Sequence, residues 1–546
     1  VKSFLYLLGL LAALVACVVL LRSIEEKGQP VSRLPATTLA VKSTAPQASE
    51  IDLDHYADAP AEELYTAGVE LLNLWHVREA TDLFERALAA DSSNFGTYVK
   101  LVECYSHPLI GREDEASEAV RRAEMNRRSD ADTVFLAGLK SLYVDRDYAT
   151  AAALLSRANK AEENARYYSA LALFKAGKID DAMETLRQAG ETSARVMELS
   201  IRCAVVENDF DTAREQARDL ARSLAEEPYP YALLAMVELL NGNAQGAVEF
   251  CNNALVLDSK YIPAILARAN LYAVDGEFEA ARVSFEKLLL FDDPVLRALG
   301  MDGIGFVDLH TGRFDDGVAA IDEAIRFAML AGSVRQGLTY AANLIGYLCQ
   351  LGHGDMAEEV IDRWVSGFGD IPMDLAALRI HVLEGDRVAT RSTLMAMQSK
   401  KDWVVWMGMM SIDFDEMNAL ARIGEQGYDE ALGILSKSAG TGPSAPGVRS
   451  FLKGYASFQN GDAENAAGAF AEVAKKLYGV EFPYRGNPIL YVQSLFHLAE
   501  AGIATGNDRD AAAHYDRFLE YWGDADWDVQ AVTRAREKLE NLTPTP

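Results

Sequence analysis

Residues 228–261 read PYPYALLAMVELLNGNAQGAVEFCNNALVLDSKY, and residues 262–293 continue as IPAILARANLYAVDGEFEAARVSFEKLLLFDD before Pro294. Set against each other at a spacing of 34, the two blocks agree at the places that matter for helix packing. Tyr231 meets Ile265, Ala235 meets Ala269, Gly242 meets Gly276, Ala247 meets Ala281, Cys251 meets Phe285 and Ala254 meets Leu288. Small residues at the eighth and twentieth places let two antiparallel helices approach closely, and the larger twenty-fourth place fills the gap beside them. The glycine between them ends the first helix. Each block therefore reads as one helical hairpin whose apolar face needs neighbouring hairpins to cover it.

This period and residue pattern resembles the tetratricopeptide repeat. The resemblance implies an all-α fold: a right-handed superhelical solenoid of about thirteen helical hairpins, with a helix capping its C-terminal end. The same signature runs outward from the central blocks. Leu64, Ala67, Gly68, Leu71, Ala80, Phe84 and Ala87 mark a first repeat, and Leu101, Tyr105, Ala116, Val120 and Ala123 a second, stretched by Pro108 and Gly111. Asp147-Tyr148 before Ala151, and Gly177-Lys-Ile179 before Ala182, mark two more. Asn208, Phe210, Ala213 and Ala217 mark a weaker fifth, and Gly312-Arg-Phe314 with Gly317 and Ala324 follows the central pair. The pattern degrades between residues 338 and 440, where Trp403, Trp406, Met407, Met409 and Met410 read as an irregular core filled by adaptable methionine. It recovers at Tyr428 and Ala431, crosses the Pro/Gly linker 441–447, and continues through Gly454, Gly461, Ala466, Phe470, Gly506, Ala511 and Phe518.

Ahead of the repeats, Phe4 to Leu21 is an unbroken apolar run; as a helix, its 18 residues would span about 27 Å, enough to cross a bilayer. Three readings fit it: an uncleaved signal anchor, a lipoprotein signal cut before Cys17, or a cleaved secretory signal. Val18 to Leu21 continue the run past Cys17, where a lipidated cysteine is normally followed by polar residues, so the anchor reading is preferred. The expected organisation is then an anchor over 1–22, a Ser/Thr/Pro/Ala spacer over 23–60, repeats over 61–440 and 448–526, and a capping helix and tail over 527–546. On this reading the chain is a single-pass protein of a bacterial inner membrane with its repeats outside the cytoplasm. Lys2 before the run and Arg22, Lys27 and Arg33 after it leave the orientation open.

Composition narrows the function. The 546 residues carry a net charge of −29, which repels phosphate backbones and argues against nucleic-acid partners; Arg121, Arg122, Arg127 and Arg128 have no interleaved aromatics for base stacking. The five cysteines are scattered and form no metal or redox spacing. Gly177-Lys178 lacks the glycine five places earlier that a phosphate loop needs, Ala172 standing there. Asp524, Asp526 and Asp528 have calcium-loop spacing, but Val529 and Ala535 occupy the loop glycine and glutamate places, so an N-cap at Asp528 explains the run better. No cofactor, metal or catalytic set is expected.

The segment His514 to Asp528, with Ala531, Ala535 and Leu539, resembles the C-terminal end of the repeat region in bacterial membrane-spanning serine/threonine kinases. No His-Arg-Asp loop, Asp-Phe-Gly or Gly-rich loop accompanies it, so this resemblance implies a stand-alone relative of that region. Repeats of this type bind protein or peptide partners on the concave face formed by the first helix of each hairpin. Carried onto the three best-registered central repeats, the groove places include Met236, Leu239 and Leu240, then Leu266, Asn270 and Ala273, then Asp302, Phe306 and His310. Two readings of these places stay open: where curvature closes the groove they pack against neighbouring helices, and where a groove exists Met236 and Phe306 are expected to anchor an apolar or helical segment, with Asn270 bonding its backbone.

Overall fold

The structure, a computed structural model, describes residues 53–542 apart from 128, 159–164, 190–192, 384, 401–412, 438–446 and 476–485. Among the described residues there is no strand. Among the described residues a 3₁₀ turn at Leu53–Tyr56 precedes thirteen helical hairpins, at 61–90, 95–125, 130–158, 165–189, 194–223, 228–257, 262–290, 294–330, 334–365, 370–398, 414–437, 448–475 and 488–522; a last helix, Gln530–Leu542, follows them. Each described hairpin packs its two helices on each other. The Phe4–Leu21 run, the spacer after it and the Trp403–Met410 cluster lie outside the described residues. No helix among the described residues is long and apolar enough to cross a membrane.

The link inside each of the thirteen hairpins holds a residue with left-handed backbone. In eleven of them the next amide returns to the carbonyl five residues earlier, as Asn243 N–H does to Glu238 O (2.8 Å) and Arg313 N–H to Asp308 O (2.9 Å); in the second hairpin Arg112 N–H reaches back to Tyr105 O instead (2.9 Å). This closure satisfies a carbonyl that the helix end leaves open. Nine of the thirteen turns use glycine, which adopts positive φ without a Cβ clash; Trp75, Arg146, Asn208 and Gln426 hold the place in the other four.

The small-residue places decide how closely the helices of a hairpin meet. Ala247, Cys251, Ala254, Ala281, Phe285 and Leu288 are all fully buried, which fits the register read from the 34-residue spacing. A Cβ on Gly68 would stand 2.7 Å from the Phe84 ring, so only glycine allows that approach.

The array of hairpins touches itself at two places far apart in sequence. Near its start, the Trp75 ring stacks on Tyr229 at 3.8 Å between centroids, His76 Nε2 pairs with Glu227 (2.9 Å), and Arg78 pairs with Asp293 (2.5 Å). The next two hairpins join the same side: Ser333 Oγ donates to Gly111 O, and Arg335 Nη2 to Val144 O (2.9 Å). At the other end, the thirteenth hairpin lies against the eighth and ninth. Trp522 Nε1 donates to Leu309 O (3.3 Å), and Asn487 Nδ2 to Gln350 Oε1 (3.1 Å).

The aspartate run after Trp522 does something other than cap its own helix. Asp528 is two residues short of the helix Gln530–Leu542. Asp526 instead accepts hydrogen bonds from the Phe314 and Asp315 amides (2.8 and 3.1 Å), while its own N–H donates to Gly312 O (3.2 Å). Those amides belong to the first turn of the helix Phe314–Leu330, whose N-cap residue Arg313 supplies no side-chain acceptor. A carboxylate more than two hundred residues away caps it.

Candidate functional site

The first doubling-back lines a cavity of about 310 Å³ that is partly open to solvent. Its wall comes from seven successive hairpins, from Leu72 in the first to Leu271 in the seventh. In each, the contribution comes from the first helix and the turn after it, reaching at most the first residue of the second helix. That follows from the packing: second helices cover the outside of the first ones, so a curving array turns its first helices inward.

Aromatic side chains make much of the wall, with Trp75, Tyr143, Tyr148, Tyr167, Phe174 and Tyr229 beside Leu109, Met236 and Leu239. Trp75 is held there by the turn itself. Its φ of 63° is a conformation that bulky residues avoid at a cost of about 1–2 kcal/mol, and it places the indole flat on Tyr229.

Two buried ion pairs cross the wall. The Arg195 guanidinium bonds Glu103 through both terminal nitrogens, donates to Tyr167 OH (3.1 Å) and lies over the Tyr167 ring at 4.3 Å. Tyr168 OH donates to the same carboxylate (2.7 Å), and Lys100 Nζ donates to Tyr168 OH (3.2 Å). Burial alone would push the Glu103 carboxyl up, but the Arg195 and Lys100 charges and the bonds from Arg195 and Tyr168 hold it at about 2. The second pair is built the same way: Arg202 donates to Glu198 and to Tyr229 OH (3.3 Å), and Tyr229 OH donates to Glu198 Oε1 (3.0 Å). His107, also in the wall, is pushed down by burial to about 4 and is neutral near pH 7.

Three buried polar atoms of wall residues have no hydrogen-bond partner among the described residues: Ser106 Oγ, Tyr143 Oη and Asn270 Oδ1. Buried polar atoms are nearly always satisfied, so three unsatisfied ones set this wall apart from the rest of the interior. Among the described residues no group of three His, Cys, Asp or Glu side chains is placed to hold a metal ion.

The structure separates the six residues singled out from the repeat register. Met236 and Asn270 line the cavity. Leu240 is half-buried against the cores on either side of it. Phe306 and His310 stand in the core instead of a groove, because the thirteenth hairpin covers their side of the helix Pro294–His310. His310 is enclosed by the rings of Phe278, Phe306, Tyr491 and Tyr521, and burial pushes its imidazole down to about 3. Asp302, on the same helix, is half-buried and outside the cavity wall. Sequence reasoning did not single out Trp75, Tyr143, Arg195 or Arg202. One signal for the first was present: Trp75 occupies a turn place where most of the repeats carry glycine.

No family model matches the sequence, and none of the curated proteins matches it. Solved structures do align over most of the chain. The APC/C hetero-tetramer Cut9-Hcn1 is 12% identical and covers 90% of this chain and 98% of its own, at a TM-score of 0.28. Yeast Tom70 is 13% identical over 89% and 96%, at 0.31, and the P58(IPK) TPR domain 13% identical over 88% and 98%, at 0.19. These scores are too low to carry an argument, and the architecture stands on the hairpins, turns and packing described above.

Proposed function

We propose that this chain is a helical-repeat scaffold that binds a segment of a protein partner in the cavity enclosed by its first seven hairpins. The observation that carries this reading is a largely aromatic and apolar cavity walled by the first helices and turns of seven hairpins, whose lining includes Ser106, Tyr143 and Asn270, each with a polar atom that has no hydrogen-bond partner among the described residues. A peptide fits that chemistry, since its backbone offers donors and acceptors and its side chains offer apolar surface.

The Phe4–Leu21 run supports attachment to a bacterial inner membrane with the repeats outside the cytoplasm, and the likeness of the last 55 or so residues to kinase-linked repeats supports a place in a signalling or envelope complex. Two measurements test these parts. A photo-crosslinking residue at Met236 of the full chain should capture a partner in native membranes, and one at Leu290, which is 84% exposed, should not. Equal capture from both positions removes the cavity from the reading. Deleting residues 4–21 should release the chain from washed membranes; continued sedimentation removes the anchor.

A further inference from the structure

We infer that the segment held in the cavity is proline-rich and lies there as a polyproline II strand. This rests on the reading that the cavity is where a partner is held, and it names that partner's chemistry.

The charged groups that line the cavity are already engaged. Glu103 takes the Arg195 guanidinium and the Tyr168 hydroxyl, and Glu198 takes the Arg202 guanidinium and the Tyr229 hydroxyl. Arg146 and Lys175 have interaction partners of their own. Each carboxylate offsets one guanidinium, so a charged ligand would give up its hydration without meeting an unpaired counter-charge. The unpartnered atoms of Ser106, Tyr143 and Asn270 are enclosed and show no surface to the cavity.

Three donors stand open, one from each of the first three hairpins. Trp75, His107 and Tyr148 line the cavity, and the Trp75 indole N–H, His107 Nε2 and the Tyr148 hydroxyl have no hydrogen-bond partner among the described residues. Unlike the three enclosed atoms, they show surface. His107 Nδ1 accepts from the Leu109 amide (3.2 Å), so the neutral ring carries its proton on Nε2 and donates there. Open donors beside engaged carboxylates and aromatic faces call for a ligand that is rich in carbonyls, poor in N–H groups and apolar. Proline has that chemistry. It keeps its carbonyl, has no N–H to leave unsatisfied, and packs a compact apolar ring on aromatic surfaces. An ordinary extended segment brings an N–H at every residue, and each one enclosed without an acceptor weakens binding. The polyproline II strand makes no internal hydrogen bonds, so its carbonyls are free to accept, and it is extended before it binds, so little backbone entropy is lost.

The test uses the full chain in detergent and titration calorimetry with uncharged peptides blocked at both ends. One repeats Pro-Pro-Leu, one has alanine in place of each proline, and one has N-methylglycine there, which lacks the N–H as proline does but has no ring. The proline peptide should bind about tenfold tighter than the alanine peptide, with the N-methylglycine peptide between them. Its affinity should change by less than about twofold between about 0.05 and 0.5 M salt, because no charge is used. Tyr148→Phe removes one donor and keeps the ring. It should weaken the proline peptide about three- to tenfold at an unchanged melting temperature, since that hydroxyl bonds nothing in the described chain. A purely structural role would instead lower the melting temperature. Trp75→Phe, which keeps a ring beside Tyr229, should weaken the proline peptide by a similar factor.

Equal binding of the alanine and proline peptides, with Tyr148→Phe weakening both, overturns the proline class and leaves the cavity reading standing. Proline-peptide binding that neither Tyr148→Phe nor Trp75→Phe weakens puts the strand elsewhere and overturns the inference. No binding of any peptide while Met236 still captures a partner and Leu290 does not also overturns the inference alone. No binding of any peptide together with equal capture from Met236 and Leu290 overturns the inference and the cavity reading together.

Discussion

Trp75 shows how one residue can be costly to its own turn and useful to the molecule. Its positive φ disfavours any bulky side chain, yet the same conformation lays the indole of the first hairpin on Tyr229 of the sixth. The two contributions can be separated. Trp75→Ala loses the stack and keeps the backbone strain, whereas Trp75→Gly loses both, so the glycine variant should be more stable than the alanine one by about 1 kcal/mol in urea unfolding. The reverse order would mean that the turn is not strained. Glu113 gives a second residue-level test, with a sign set by its surroundings. Burial raises its carboxyl to about 7 despite the pull of Arg335 and Arg146, and its Oε2 has no hydrogen-bond partner among the described residues. In the unfolded chain this carboxyl titrates near 4.5. Below that pH both states hold the proton and there is no penalty; as pH rises towards 7 the unfolded state releases it first, and stability falls. Glu113→Gln should therefore stabilise the protein by about 1–3 kcal/mol at pH 8, with the gain vanishing towards pH 4.5. Denaturation midpoints at the two pH values measure it, and a gain independent of pH would assign the effect to something other than this proton.

The hairpin was the legible element. The spacing of 34, the small eighth and twentieth places and the turn glycines can all be read within one repeat, because the packing they describe is local. Ala247 and Ala281 are both fully buried between the helices of their hairpins. Either changed to Leu should overpack that contact and cost about 1–3 kcal/mol, while Glu279→Leu on the exposed face should change stability by less than about 0.5 kcal/mol. Three equal melting temperatures would refute the register. The cavity was only half legible, for a physical reason. Met236 and Asn270 follow from the register, which says which face of a first helix points inward. Phe306 and His310 obey the same register, yet their face is covered by Tyr491 and Tyr521 from nearly two hundred residues away. Repeat periodicity carries no information about where an array closes on itself. That closure depends on single irregular residues, such as Trp75 in a glycine place or Asp526 in a run resembling a calcium loop.

At the scale of the whole array, the two closures meet the same stretch of chain. Hairpins two and three reach Ser333 and Arg335 just after the helix Phe314–Leu330, and the C-terminal segment reaches Leu309 to Asp315 just before it. The C-terminal contact depends on a charged acceptor. Asp526 takes two amides of the helix's first turn, where the helix dipole adds to the attraction, and Trp527 Nε1 bonds Asp315 (2.9 Å) beside it. Asp526→Ala should leave those amides open to solvent and cost about 1 kcal/mol; Asp526→Asn, which keeps an acceptor but not the charge, should cost less. Hydrogen exchange locates the effect. Protection should fall at the amides of Phe314, Asp315 and the thirteenth hairpin, while the amides of Tyr231 to Leu257 and partner capture in the cavity stay unchanged. If instead protection falls evenly along the array, the two closures act as one cooperative unit and the C-terminal segment holds the cavity in shape from a distance.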